Sequence, residues 1–288
     1  MTRWLVTGAG GMLGRDLTGL LAARGEQVTG LGRGELDITD HAAVLAAAEA
    51  CKPDVIVNCA AWTAVDDAEA HEDAALRVNG HAVAALATAC ASRGAALVQL
   101  STDYVFDGAA SAPYPEHATP APHGAYGRTK LAGERAVLGG LPDGGYVVRT
   151  AWLYGAHGAN FVRTMIRLAR SGAVPAVVDD QRGQPTWSLD VARQVHALIV
   201  NGAPPGVYHA TSSGATTWYG LARQVFALLG VSPGPTPATS EAYRRPAPRP
   251  AYSVLGHGAW AVAAIPPIGD WQDALHRAFP ALLSATAE

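Results

Sequence analysis

Tyr126 and Lys130, in the run Tyr126-Gly127-Arg128-Thr129-Lys130, are the residues of this chain whose types and spacing best suit proton transfer. On a helix that spacing puts both side chains on one face, about 5–6 Å apart at Cβ. A free phenol titrates near 10, and a fixed ammonium beside it stabilises the phenolate and brings that value toward the working range. The expectation is therefore a general acid, Tyr126, tuned by Lys130. Of the 21 lysines and arginines only Lys52 and Lys130 are lysine, so the cation at 130 departs from the chain's habit. A compact ammonium can also donate to ribose hydroxyls, where a planar guanidinium would not fit equivalently. With nine tyrosines in 288 residues such a pair arises by chance roughly 6% of the time, so the elements around it must carry the rest.

The N-terminus reads as strand, glycine turn, helix. Residues 4–7 are apolar, Gly8, Gly11 and Gly14 follow at even spacing, and an amphipathic helix runs to about residue 24. Such a turn lets backbone amides at a helix N-terminus approach a pyrophosphate, whose charge the helix dipole favours. A second strand, 27–31, ends in Gly32-Arg33, where an acid for the ribose hydroxyls is usual in NAD-selective proteins. Arg33 could pair with a 2′-phosphate, which favours NADPH with NADH possible, or it could be a solvated loop residue. Asp37-Ile38 lie where an adenine could be held. A third strand, 54–58, leads into Cys59-Ala60-Ala61-Trp62-Thr63, small enough at its start for close cofactor approach.

Residues 73–93 read as one alanine-rich helix, with Asn79 a polar hydrogen-bonder inside it. The fourth strand, 96–100, delivers Ser101-Thr102-Asp103 at the end where open α/β sheets place ligands. The Thr102 hydroxyl could bond the phenol or a substrate carbonyl, or merely close a turn. The proline-stiffened stretch 107–123 then leads straight to the Tyr126 helix, as a pocket wall would. After a fifth strand, 146–149, Trp152 offers a flat face to a sugar or base, or core packing.

Beyond residue 156 the alternation loosens, which implies two parts: a dinucleotide-binding domain over 1–155, rejoined by segments near 188–210, and a substrate portion over most of 156–288. Arg182, beside Gly183, could clamp a phosphate or be a surface arginine. Residues 233–250 look too proline-rich for regular structure; their Arg244, Arg245 and Arg249 suit either a diphosphate or a solvated linker. The expected class is α/β: a Rossmann-type doubly wound parallel sheet with a smaller, partly discontinuous α/β domain.

Net charge of −3 and the lack of basic clusters exclude a nucleic-acid footprint or an anionic membrane partner. No leader-like segment is seen, so the expected location is cytoplasmic. Cys51, Cys59 and Cys90 are scattered among apolar neighbours and the histidines lack ligand spacing, so no metal is expected.

Taken in order, Gly8/Gly11/Gly14, Ser101 to Phe106, Tyr126 to Lys130 and Leu131-Ala132-Gly133-Glu134 resemble the extended short-chain dehydrogenases that act on nucleotide sugars, over nearly the whole chain. The runs 149–155, Asn160-Phe161, 180–186 and Arg244-Arg245-Pro246 narrow the likeness to the dTDP-4-dehydrorhamnose reductase family. The resemblance implies reduction of the C4 ketone of a dTDP-4-keto-6-deoxyhexose by NADPH in a monomer or homodimer. It implies a triad of Thr102, Tyr126 and Lys130, with Gly11, Met12 and Leu13 at the pyrophosphate, Asp37-Ile38 at the adenine, and Ala61, Trp62 and Thr63 along the groove. Asp103 and Trp152 would contact the sugar; Arg182 and Arg245 remain the candidates for its phosphates. Some members bridge dimers through glutamate-bound magnesium; Asp16 stands at one of those positions, so that metal is not expected. An epimerase or dehydratase would share the triad, but dehydratases of this kind follow the threonine with Asp-Glu, where this chain has Asp103-Tyr104. A non-catalytic relative, such as the regulatory subunit of methionine adenosyltransferase, would not need Thr102, Tyr126 and Lys130 intact.

Overall fold

The computed structural model describes residues 1–286. Six strands form one parallel sheet in the order β2-β1-β3-β4-β5-β10: β1 (Arg3–Thr7), β2 (Gln27–Leu31), β3 (Val55–Asn58), β4 (Ala96–Thr102), β5 (Gly145–Thr150) and β10 (Gly206–His209). The strands are short apolar runs because both faces are covered. Strand residues alternate between two cores. Trp4, Val6, Val57, Val98 and Val148 pack with Leu17 and Leu21 of α1 (Met12–Ala23) and Val191, Val195 and Leu198 of α7 (Ser188–Val200). Leu5, Ile56, Leu97 and Val147 point the other way, onto Val44 of α2 (His41–Cys51), Leu86 of α4 (Ala82–Ala91) and Val137 of α5 (Ala125–Gly140).

The strand order reverses direction between β1 and β3, and a crevice opens there above the C-terminal ends, the usual ligand position in such sheets. Residues 73–93 are not one helix. They form α3 (Glu72–Leu76), a π turn at Arg77–His81 and then α4. The break lies where α5 crosses: a Cβ on Gly133 would sit 2.2 Å from the Asn79 carbonyl, so the helices meet backbone to backbone, and the extra residue of the π turn re-aims Asn79.

The second lobe is built on α6 (Phe161–Arg170), α8 (Trp218–Leu229) and α10 (Trp271–Ala285), which bury Val162, Ile166, Leu221, Val225, Leu275 and Leu282 together. Side-chain caps start each of them, Asn160, Thr217 and Asp270 accepting from Arg163, Gly220 and Gln272 amides. Short pairings frame the lobe: β6 (Leu153–Tyr154) with β9 (Thr186–Trp187), β7 (Ala176–Val178) with β12 (Thr236–Ala238), and β8 (Arg182–Gly183) with β11 (Thr216–Thr217). Residues 233–250 thus carry regular structure after all. Pro237 occupies a parallel pairing with Val177, and an edge strand tolerates its missing N–H. A short helix, α9 (Gly258–Val262), inserts Trp260 into the first core. Among the described residues, no helix is long and apolar enough to cross a membrane.

Candidate active site

Gly8 adopts φ +64°, and a Cβ on it would lie 2.5 Å from the Ala60 amide nitrogen, so only glycine lets the turn after β1 meet the chain leaving β3. Gly14 does the same one turn on, where a Cβ would stand 2.3 Å from the Gly8 carbonyl. The N-cap of α1 is Gly11, without a side-chain cap, and the first helical bond runs from Arg15 N to Gly11 O. The amides of Met12, Leu13 and Gly14 are therefore available at the positive end of the helix, though the Leu13 side chain itself is in the core.

A cleft of about 650 Å³ opens at this turn, lined by Gly8 and Gly11, by Arg33, Asp37 and Ile38 beyond β2, and by Ala61, Trp62 and Thr63 beyond β3. Leu36 and Ile38 give it an apolar floor. Asp37 accepts from the Thr39 amide at 2.9 Å and hydroxyl at 2.8 Å, which with nearby Arg33 holds its carboxyl below the usual range. Asn79 fixes the far wall: its Oδ1 accepts from Trp62 N at 2.9 Å, while its Nδ2 donates to Trp62 O at 3.1 Å and to Thr129 Oγ1 at 3.1 Å. One buried amide thus ties the cleft to the residue before Lys130.

Thr102, Asp103, Tyr126 and Lys130 converge at the end of β4. A Cβ on Gly127 would lie 2.2 Å from the Tyr104 carbonyl, so glycine admits α5 against the turn that follows Thr102. The N-cap, Gly124, offers no side chain; instead Glu69 accepts from the Ala125 amide at 2.8 Å, its charge favoured at a helix N-terminus. The Tyr126 ring meets Tyr104 edge-on at 5.7 Å. Burial and the Asp103 charge push its phenol up to about 12, and the Thr102 hydroxyl opposes them.

Lys130 is 3% exposed and donates to the Leu100 carbonyl at 2.6 Å. Burial pushes its ammonium down to about 8, against Glu134 and Cys59. The expected tuning of the phenol by Lys130 is corrected accordingly: the residues share a helix face, but the lysine extends across to β4, and burial, Asp103 and Thr102 set the phenol. Cys59, which acts on Lys130, also lines the cleft, so the lysine lies behind a residue of the cleft wall.

Asp103 is 2% exposed. Its Oδ1 accepts from the Thr102 hydroxyl at 3.0 Å, and its Oδ2 has no partner among the described residues. Burial lifts this carboxyl to about 6, opposed by the nearby Ser253 hydroxyl, which itself has no formed hydrogen bond among the described residues, and by Thr102. Trp152 sits at φ 47°, a left-handed backbone costly for an aromatic residue. Its indole stacks on Trp218 at 3.6 Å and 7° and lies so close over Gly183 that a Cβ there would come within 2.5 Å of the ring.

Arg182 and Arg245 are exposed, whereas Thr102, Asp103 and Lys130 are buried. Their backbones explain why: Arg182 occupies an edge pairing with Thr217 and Tyr252, and Arg245 stands in the outer loop before Pro246. Arg249 reaches the site instead, 2.8 Å from Asp66 and over the Tyr104 ring at 5.9 Å. Sequence reasoning missed Glu69; it named Arg249 for a diphosphate and Asn79 as a structural hydrogen-bonder without identifying their partners. Gly127 inside the Tyr-x-x-x-Lys run was the one readable sign, since a glycine in a helix interior usually marks a close approach.

A doubly wound sheet, a glycine turn at its reversal point and a buried Tyr-Lys helix at the end of the next strand define an oxidoreductase of the short-chain dehydrogenase type. Within that class the chain belongs to the family described as the RmlD substrate binding domain, whose model matches residues 2–284. It is 56% identical to the dTDP-4-dehydrorhamnose reductase of Streptomyces griseus over 97% of this chain and 94% of that one. It is 54% identical to the dTDP-4-keto-6-deoxy-D-glucose reductase of Streptomyces niveus, over 97% of each. The solved dTDP-4-dehydrorhamnose reductase of Bacillus anthracis, in complex with NADP, matches with a TM-score of 0.93 at 35% identity, over 97% of this chain and 99% of that one.

Proposed function

We infer that the protein is an NADPH-dependent oxidoreductase that reduces the C4 ketone of a dTDP-4-keto-6-deoxyhexose, such as dTDP-4-dehydro-L-rhamnose, to the 4-hydroxy sugar. The observation carrying this reading is the grouping of Thr102, Asp103 and Tyr126 after β4, with Lys130 beside Cys59, a residue that lines the cleft opening at the glycine turn. That cleft suits a dinucleotide: Gly8 and Gly14 leave no room for side chains, and the Gly11, Met12 and Leu13 backbone would hold the pyrophosphate. Asp37 and Ile38 would hold the adenosine, Arg33 the 2′-phosphate, Ala61, Trp62 and Thr63 the outer groove, and Lys130 the nicotinamide ribose. When bound, the reduced nicotinamide supplies hydride to the carbonyl carbon.

The chain's own residues do the rest. Tyr126 donates its proton to the C4 oxygen, and a phenol held as high as about 12 is reliably protonated at neutral pH. Thr102 orients the phenol and the carbonyl oxygen. In the structure its hydroxyl donates to Asp103 and accepts from the Tyr104 amide, so to act on the phenol or the sugar oxygen its proton turns away from Asp103. Asp103, with a free carboxylate oxygen, accepts from a sugar hydroxyl, and Trp152 offers an apolar face to the ring. The portion from residue 156 onward, apart from 188–210, forms the sugar-nucleotide side, and the enzyme works in the cytoplasm as a monomer or homodimer.

Loss of absorbance by NADPH on adding a dTDP-4-keto-6-deoxyhexose tests the activity. Tyr126→Phe is expected to lower kcat by about 10²–10⁴-fold while NADPH still quenches protein fluorescence as in the parent. Unchanged turnover in that variant would remove the acid from Tyr126.

A further inference from the structure

Beneath the triad lies a buried charged group that none of the steps above uses. Glu134 follows Lys130 by the same four residues by which Lys130 follows Tyr126, so the three share one stripe of α5. Glu134 is 1% exposed and its carboxylate is fully engaged. Oε1 accepts from Ser101 Oγ at 2.5 Å and from Arg149 Nε at 2.9 Å, and Oε2 accepts from Arg149 Nη2 at 2.7 Å. Ser101 immediately precedes Thr102, and Ser101 pairs with Arg149 across β4 and β5. Arg149 Nη1 then donates to His209 Nε2 at 3.3 Å and to the Glu116 carbonyl at 3.3 Å. With its Nε2 accepting, His209 carries its proton on Nδ1 and donates to the Gly256 carbonyl at 2.9 Å. Burial and Arg149 push that imidazole down to about 3, so it stays neutral and the Glu134–Arg149 pair holds the network's only charges.

We propose that Glu134 is a positioning residue of the reduction: it locks the catalytic helix to the strand end that carries Thr102, and its negative charge keeps the buried Lys130 an ammonium. The proposal rests on the reductase reading of the site. Its first half follows from connectivity, since one carboxylate binds the residue before Thr102 and lies one turn from Lys130. Its second half follows from what surrounds the lysine. The titratable and charged groups on the elements around it are Tyr126 and Glu134 on α5, Cys59 after β3, Asp103 after β4 and Arg149 on β5. Cys59 is held as a thiol by burial, up to about 12, so Glu134 is the anion that offsets the lysine's desolvation.

The sign of the effect is fixed. Lys130 sheds its proton as pH rises through about 8, and without Glu134 it does so at lower pH. The test is the pH profile of kcat/KM with NADPH and a dTDP-4-keto-6-deoxyhexose, for the parent and Glu134→Gln. The expected result is an alkaline limb displaced toward acid by about one unit, so that the variant's deficit is about sixfold larger at pH 8.5 than at pH 6.5. Glu134→Asp should return the limb toward the parent position. A deficit equal at all pH values, with the limb unmoved, overturns the electrostatic role. A parent that turns over no keto sugar overturns the reductase reading instead. Should Glu134→Gln fail to fold because Arg149 is left buried and unpaired, Glu134→Gln with Arg149→Gln removes both charges; the lysine then loses a cation as well as an anion, so a smaller displacement in the same direction is expected, and a limb at or above the parent position overturns the electrostatic role. Ser101→Ala isolates the mechanical half: kcat should fall severalfold with KM for NADPH unchanged, and a parent-like kcat would refute that half.

Discussion

Arg33 is exposed at the mouth of the cleft, opposite the apolar floor made by Leu36 and Ile38, and its near neighbour Asp37 is occupied by Thr39. A guanidinium in that setting is free to take a 2′-phosphate, and an ion-assisted hydrogen bond of this kind is worth about 1.5–3 kcal/mol. Arg33→Glu should therefore lower the ratio of kcat/KM for NADPH over NADH by about tenfold or more, measured with one keto sugar under both cofactors. An unchanged ratio would place phosphate recognition elsewhere. Residues such as Arg33, Thr102, Tyr126 and Lys130 were legible because each is defined by its place after a strand or by a spacing within one helix. Glu69 was not, nor were the partners of Asn79 and Arg249. Each of these three residues acts on a partner tens of residues away, Ala125, Trp62 and Asp66, and nothing local to a glutamate, asparagine or arginine announces such a partner.

At the level of elements, α5 is held by close approaches as much as by its apolar face. It meets the turn after β4 at Gly127 and the π turn at Gly133. Gly127→Ala would set a methyl 2.2 Å from a backbone carbonyl, which cannot yield as a flexible side chain could. A cost of roughly 1–3 kcal/mol follows, visible as a lower Tm. Turnover should fall further than stability alone explains, because the helix start carrying Tyr126 is driven off Thr102; a variant with parent Tm and kcat would contradict the packing described. The main strands and most helices could be read from periodicity and caps. The π turn could not, since its cause is a neighbouring helix rather than its own residues. β12 was missed because prolines at 235 and 237 argue against a strand, and only the partner β7 reveals that an edge position tolerates them.

At the scale of the whole molecule, the two lobes are sewn together around the site by residues 247–256. Ala247 and Arg249 bond Asp66 beside the cleft, Tyr252 N donates to Gly108 O, Ser253 N to Arg182 O and Gly256 N to Tyr114 O. The indole pair crosses the same junction: Trp152 leaves β5 of the main sheet, and Trp218 opens α8 of the second lobe. Two indoles stacked only 3.6 Å apart couple their electronic excitations, so Trp218→Leu should alter the aromatic part of the far-ultraviolet circular dichroism spectrum. Any movement of one lobe over the other would change the coupling of these rings, which gives the enzyme a built-in, label-free gauge of sugar-nucleotide capture.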